Sequence, residues 1–137
     1  MQYCDLKRLA DERLDDAKAL YKANRFDGAT YLSGYAIEIA LKARICKLLQ
    51  ISDYPVTGIF KSLFATHDFS VLLKLSGLEQ EIALSNTQNN QSLFVDWSIA
   101  TGWQPEMRYT LMHKTKKDVG VLLVSVINII KWLKTRW

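Results

Sequence analysis

Arg108 and His113, separated by four residues, stand in the run Glu106-Met107-Arg108-Tyr109-Thr110-Leu111-Met112-His113-Lys114-Thr115-Lys116-Lys117. An arginine supplies a permanent, planar, two-pronged cation for a phosphate, and a histidine is the side chain that gains or loses a proton near neutrality. Together they are the minimum for metal-independent RNA cleavage: a base removes the 2′-hydroxyl proton, the freed oxygen attacks the adjacent phosphorus, and a fixed cation stabilises the added charge. Lys114, Lys116 and Lys117 would add phosphate contacts to the same segment. The plainer account is also open on the residues alone. Arg108 would then pair with Glu38 or Glu106, His113 would be a solvated loop residue, and the lysines would form an exposed face. No metal-ligand cluster, glycine-rich phosphate loop or Ser/His/Asp ordering competes for attention, and no cofactor is expected.

A second polar feature lies upstream. Glu38 and Lys42 are four apart with the acid first, the favoured orientation for a helical ion pair, and apolar residues surround them. Either they form a weak surface pair, or Glu38 edges a buried site and orients a cation from elsewhere in the chain, because a part-buried carboxylate needs a partner.

The elements that must position these groups follow from periodicity. From Arg25 to Gln50 the apolar residues Ala29, Leu32, Ala36, Ile39, Ala40, Ala43 and Cys46 keep the 3.6 period of a helix. A flanking row, Ile37, Leu41, Ile45 and Leu48, gives this helix neighbours on more than one side, so it is central to a bundle. Ahead of it, Leu6, Leu9, Ala10, Leu14, Ala17 and Leu20 predict a helix with Asp5 as its cap, ending near Asn24. Asp27 is the expected N-cap of the central helix, and the short link makes the first two helices an antiparallel hairpin.

Pro55 and Gly58 mark a loop over residues 51–58. Asp68 and Gly77 bracket a short helix as N-cap and C′ residue, which leaves His67 at the turn as a packing or hydrogen-bonding residue. Another short helix covers Leu78 to Leu84, and the polar run Ser85 to Ser92 is expected to be a mobile loop. Leu93 to Trp103 permits a further helix, broken by Gly102 and Pro105. The last helix starts around Thr115 to Asp118 and is expected to carry Val119, Leu122, Leu123, Val126, Ile129, Ile130, Leu133 and Trp137.

With 137 residues, two prolines and six glycines, the chain is expected to fold as one all-α domain, 1–137, an up-and-down bundle of four to five helices with short additional ones. Cys4 and Cys46 have no metal or redox spacing and read as free thiols in a reducing compartment. No apolar run reaches membrane-spanning length and no signal-peptide core is visible, so a cytoplasmic protein without membrane contact is the expectation. A net charge of +4 permits a nucleic-acid partner without requiring one.

The combination resembles a known family. The segment Ala36-Ile37-Glu38-Ile39-Ala40-Leu41-Lys42-Ala43, then Thr66-His67-Asp68-Phe69 before a Leu-rich helix, then Trp103 through Arg108-Tyr109, look like HEPN domains over nearly the whole chain. The resemblance implies a bundle of four to five helices, commonly dimeric, found in toxin–antitoxin, defence and RNA-processing systems. In its ribonuclease members an Arg and a His a few residues later meet the same pair from a second protomer, and Arg108 and His113 match that spacing. Glu38, Lys42 and Tyr109 would be supporting residues. Tyr109 stands where active members commonly carry a small polar residue, which resembles an Arg-Tyr branch in which the catalytic His is often missing. The expected function is therefore RNA binding or metal-independent RNA cleavage by a homodimer. The alternative is a non-catalytic module that binds a nucleotide or partners a minimal nucleotidyltransferase.

Overall fold

The computed structural model describes residues 1–87 and 92–137. Its helices are α1 (Tyr3–Lys22), α2 (Phe26–Leu49), α3 (Lys61–Phe64), α4 (Phe69–Leu75), α5 (Glu79–Ser85), α6 (Ser92–Ala100) and α7 (Lys116–Lys134). Short 3₁₀ turns cover Gly58–Phe60 and Pro105–Tyr109. This is the expected all-α bundle, with α1, α2, α6 and α7 as its principal helices.

The helix directions follow from a few contacts. Arg25 donates its amide to the Leu20 carbonyl at 2.8 Å, which closes the α1–α2 hairpin. Asp27 meets the segment before α7, while Arg44 reaches the Arg136 carbonyl at 2.9 Å near its end, so α7 runs parallel to α2. Trp103, just past α6, donates from Nε1 to the Tyr31 carbonyl near the start of α2 at 2.9 Å. The chain thus travels up, down, up and down, with α3 to α5 as short crosspieces between α2 and α6.

Helix α2 is buried along most of its length because its apolar residues occupy nearly every face. Ala36, Ile37, Ile39, Ala40, Leu41, Ala43, Ile45 and Cys46 all lie in the core, together with Leu6, Ala10 and Ala17 of α1 and Val119, Val126, Ile129 and Leu133 of α7. Leu48, expected on the flanking row, is exposed because α2 is ending there. Gly34 allows the closest approach. A Cβ at that position would lie 2.0 Å from ring atoms of Trp103, so the absence of a side chain is what lets the indole rest on the α2 backbone. Gly34→Ala should therefore lower the melting temperature markedly, since overpacking a tight core costs about 1–3 kcal/mol and often more. Thermal denaturation with Trp103 fluorescence as the probe checks it, and an unshifted transition would show that Trp103 can move away freely.

Two caps differ from expectation. Gln2, not Asp5, precedes α1, because the 51–54 segment covers that end: the Tyr3 amide donates to the Ser52 carbonyl and the Tyr54 amide to the Met1 carbonyl, at 2.8 and 2.9 Å. Asp5 instead lies in the first turn and pairs with Arg8. Arg25 occupies the N-cap position of α2, and Asp27 turns outward from its first turn to bind a distant loop. Elsewhere the signals hold. Asp68 accepts from the Ser70 and Val71 amides, Gly77 takes the left-handed φ of 73° past α4, and Thr115 and Asp118 form a reciprocal capping box on α7. The polar run after α5 is partly helical at both ends, Ser85 and Ser92, and residues 88–91 within it lie outside the described residues. Cys4 and Cys46 are free thiols, one exposed and one buried. No helix among the described residues is long and apolar enough to cross a membrane.

Candidate functional site

Arg108 sits on the 3₁₀ turn Pro105–Tyr109, which Pro105 initiates after α6 has stopped. Its side chain is exposed, its guanidinium lies 4.8 Å from the centroid of the Tyr109 ring, and interaction with the Tyr31 side chain raises its already high pKa. Tyr31 stacks in turn on Tyr35 and on Trp103, with centroids 6.0 and 5.9 Å apart. An arginine braced by aromatic groups and left open to solvent is a cation with directional N–H donors and no internal anion to satisfy.

His113 lies in the link between that turn and α7. Its backbone has φ of 52°, in the left-handed region that few non-glycine residues adopt. One carboxylate holds it there. Asp27 Oδ2 accepts the amides of Met112 at 2.8 Å and His113 at 3.2 Å, and Oδ1 accepts that of Lys114 at 2.9 Å. These bonds, the one from Lys114 foremost, hold the Asp27 carboxyl below its ordinary pKa. A group whose pKa falls on folding stabilises the fold above its unfolded value near 3.8, and that contribution is lost as pH drops through the lower folded value. The clamp is accordingly intact throughout the neutral range where an imidazole titrates. Asp27→Ala should free the 110–114 segment, read as faster limited proteolysis there at pH 7, while in the unaltered protein the same opening should require acid below that value. Equal proteolysis of the two at pH 7 would show that the carboxylate does not fix the loop.

Lys114 is half-buried and Lys116 and Lys117 are exposed at the start of α7; none forms an ion pair among the described residues. Arg108 and His113 occupy neighbouring segments at the end of the bundle where α2 begins, yet no hydrogen bond or ion pair joins them among the described residues. Neither pairs with Glu38 or Glu106, so the plainer account of Arg108 as half of an internal ion pair fails.

Glu38 has other partners. It is 1% exposed, and its Oε1 lies 2.6 Å from Lys42 Nζ and 2.9 Å from His67 Nδ1. Its Oε2 is buried without a hydrogen-bond partner. The pair is therefore not a surface bridge but a desolvated contact, in which the cation four residues on and an imidazole 29 residues on meet one oxygen. The Lys42 ammonium also lies 5.4 Å from the centroid of the Tyr54 ring, a cation–π contact that compensates part of its lost hydration. Tyr35 links this cluster to the arginine: burial first, and the Glu38 charge second, raise its phenol pKa, while Arg108 acts weakly in the opposite sense.

His67, expected at a turn, is there, but it also lines a cleft of about 610 Å³. Trp97, Trp103, Pro105 and Glu106 also line it. The residues that spacing alone did not mark as functional are His67, joined to Glu38 across the fold, and Asp27, whose side chain was expected at a cap. The His-Asp dipeptide before α4 was the visible signal for the first. Nothing local marked the second.

Among the described residues no group of three or more His, Cys, Asp or Glu gathers as a metal site. Comparison with curated proteins and with solved structures returned no significant match. The HEPN domain family matches residues 3–136, essentially the whole chain. The chain therefore belongs to the HEPN domain family.

Proposed function

We propose that this protein binds RNA through the Arg108 face and cleaves it without a metal, as a homodimer in which His113 transfers the proton. The observation that carries this reading is the Asp27 clamp: three backbone amides are spent on holding a histidine in a left-handed conformation, beside a solvent-facing arginine and three lysines without ion pairs. Strain of about 1–3 kcal/mol at one residue persists where the surroundings over-determine it, and such places concentrate at functional sites.

The chemistry assigns each group. Arg108 holds the phosphate and stabilises the charge that builds on its oxygens. His113 accepts the 2′-hydroxyl proton, the 2′-oxygen bonds to phosphorus, and the bond from phosphorus to the 5′-oxygen breaks. The departing oxygen must be protonated, and one histidine that has just gained a proton on the attacking side is poorly placed to give it. A second copy of His113 supplies the acid, which is why one protomer is incomplete. Lys114, Lys116 and Lys117 hold flanking phosphates. A role in a toxin–antitoxin or defence system accords with this chemistry.

Purified protein should cleave single-stranded RNA in the presence of a chelator, leave 2′,3′-cyclic phosphate ends, spare DNA, and scatter light as a dimer at micromolar concentration. A monomer at every such concentration would remove the composite site. The lack of a hydrogen bond or ion pair between Arg108 and His113 among the described residues of one chain is the feature that favours a second reading, a non-catalytic nucleotide-binding module or a partner of a minimal nucleotidyltransferase. Nucleotide or partner binding without any RNA cleavage would select it.

A further inference from the structure

The cleft beside His67 has a chemistry that the Arg108 and His113 pair does not use. Its volume of about 610 Å³ is that of a small-ligand site. The acidic groups in its lining are Asp68, Glu79 and Glu106, and no lysine or arginine contributes to it. Asp68 spends Oδ1 on the Ser70 and Val71 amides, while Glu79 and Glu106 are exposed and their carboxylates have no ion-pair or hydrogen-bond partner among the described residues. A phosphate placed there would meet only like charge. Hydrogen-bond donors would meet acceptors.

His67 adds one more acceptor. The ionised Glu38 carboxylate, paired with Lys42, can only accept, so the proton between it and His67 belongs to Nδ1. In the neutral ring Nε2 is then a free acceptor, and the ring is 54% exposed. Because Glu38 is buried and held by Lys42, the tautomer and the ring orientation are fixed together. Part of the lining is aromatic: Phe69 stacks on Trp103 with centroids 5.2 Å apart and meets the Trp97 ring at a tilt, centroids 5.9 Å apart.

The cleft also adjoins the phosphate anchor. Pro105 and Glu106 line it and belong to the same turn as Arg108, and Trp103 in its wall stacks on Tyr31, which Arg108 engages. We propose that the cleft holds an unpaired guanine base of the RNA whose phosphate sits at Arg108, an assignment that rests on the RNA reading above. Guanine alone among the four bases presents two adjacent donors, N1–H and the N2 amino group, which match the two oxygens of one carboxylate as a guanidinium does. Adenine and cytosine offer one amino group beside a ring nitrogen whose lone pair would face the carboxylate, and uracil one imino group between two carbonyls. Glu106 is the carboxylate closest in the chain to Arg108 and takes the two donors. His67, in the same lining, offers Nε2 as a further acceptor, and Gln104 and Ser70 offer donors to the guanine acceptors.

The full-length protein should be titrated with guanosine, adenosine, cytidine and uridine, free of phosphate, with the fluorescence of Trp97 and Trp103 as the readout. Guanosine should bind at least about tenfold more tightly than the others, the discrimination between bases that a good two-pronged contact gives. Glu106→Gln, which turns one acceptor into a donor, and His67→Ala should each weaken guanosine by roughly tenfold. Indistinguishable or undetectable binding of the four nucleosides, or guanosine binding untouched in both variants, would overturn the assignment. RNA cleaved after every base alike would overturn the guanine site and leave cleavage standing. Guanosine selectivity without RNA cleavage would leave the guanine site standing and remove the ribonuclease.

Discussion

His113→Asn should lower the proposed RNA cleavage by roughly 10²–10⁴, the usual worth of a positioned acid or base, and should leave the melting temperature close to that of the unaltered protein. Asparagine is the informative replacement because the position has φ of 52°. Asn tolerates the left-handed region, whereas His113→Ala adds a backbone cost of about 1–2 kcal/mol and confuses chemistry with loop geometry. The Asp27 clamp binds backbone amides and survives either change. Arg108→Ala should cost about 10²–10³, as for loss of a charge-stabilising donor, with little effect on folding because the side chain is exposed. The variants should also separate by substrate affinity, Arg108→Ala weakening RNA binding and His113→Asn sparing it. Equal cleavage by His113→Asn and the unaltered protein would remove His113 from the mechanism. Loss of binding with His113→Asn would recast it as a contact residue.

How far the sequence could lead was decided by the range of each interaction. Asp68, Gly77 and Thr115 act on their own helices within three or four residues, and their roles were readable from local pattern. So was the α2 core, because periodicity is itself a local property. Glu38, by contrast, could be read only as the partner of Lys42 or as a carboxylate that orients a cation from elsewhere in the chain: its contact with His67 crosses 29 positions, and nothing in the spacing selects that histidine over His113. Asp27 shows the opposite failure. Its position at the start of a helix had a sufficient local explanation, and that explanation concealed a contact with amides 85 to 87 residues away. The cleft was invisible for the same reason, since its walls come from α4, α5, α6 and the turn after α6. Long-range polar contacts place the candidate site, while short-range apolar ones place the fold.

Ile39→Asp should abolish the folded state. Ile39 is 1% exposed in the middle of α2, the helix that meets α1 on one side and α7 on another. It belongs to the apolar core, and the two cations nearest to it along the helix are already engaged: Lys42 belongs to Glu38, and Arg44 donates to the Ser76 and Arg136 carbonyls. An aspartate there must either remain ionised without a partner or protonate and lose most of the buried aliphatic surface. Either route costs several kcal/mol, against a total stability of about 5–15 kcal/mol for a domain of this kind. Leu48→Asp on the same helix is the control, because that side chain is exposed where α2 ends. Its effect should stay within about 0.5 kcal/mol, as for ordinary surface changes. Circular dichroism across a thermal ramp reads both. A cooperative transition at an unchanged temperature for Ile39→Asp would mean that α2 turns a different face to the core, and the Glu38 contacts, one residue away on the same helix, would have to be placed anew.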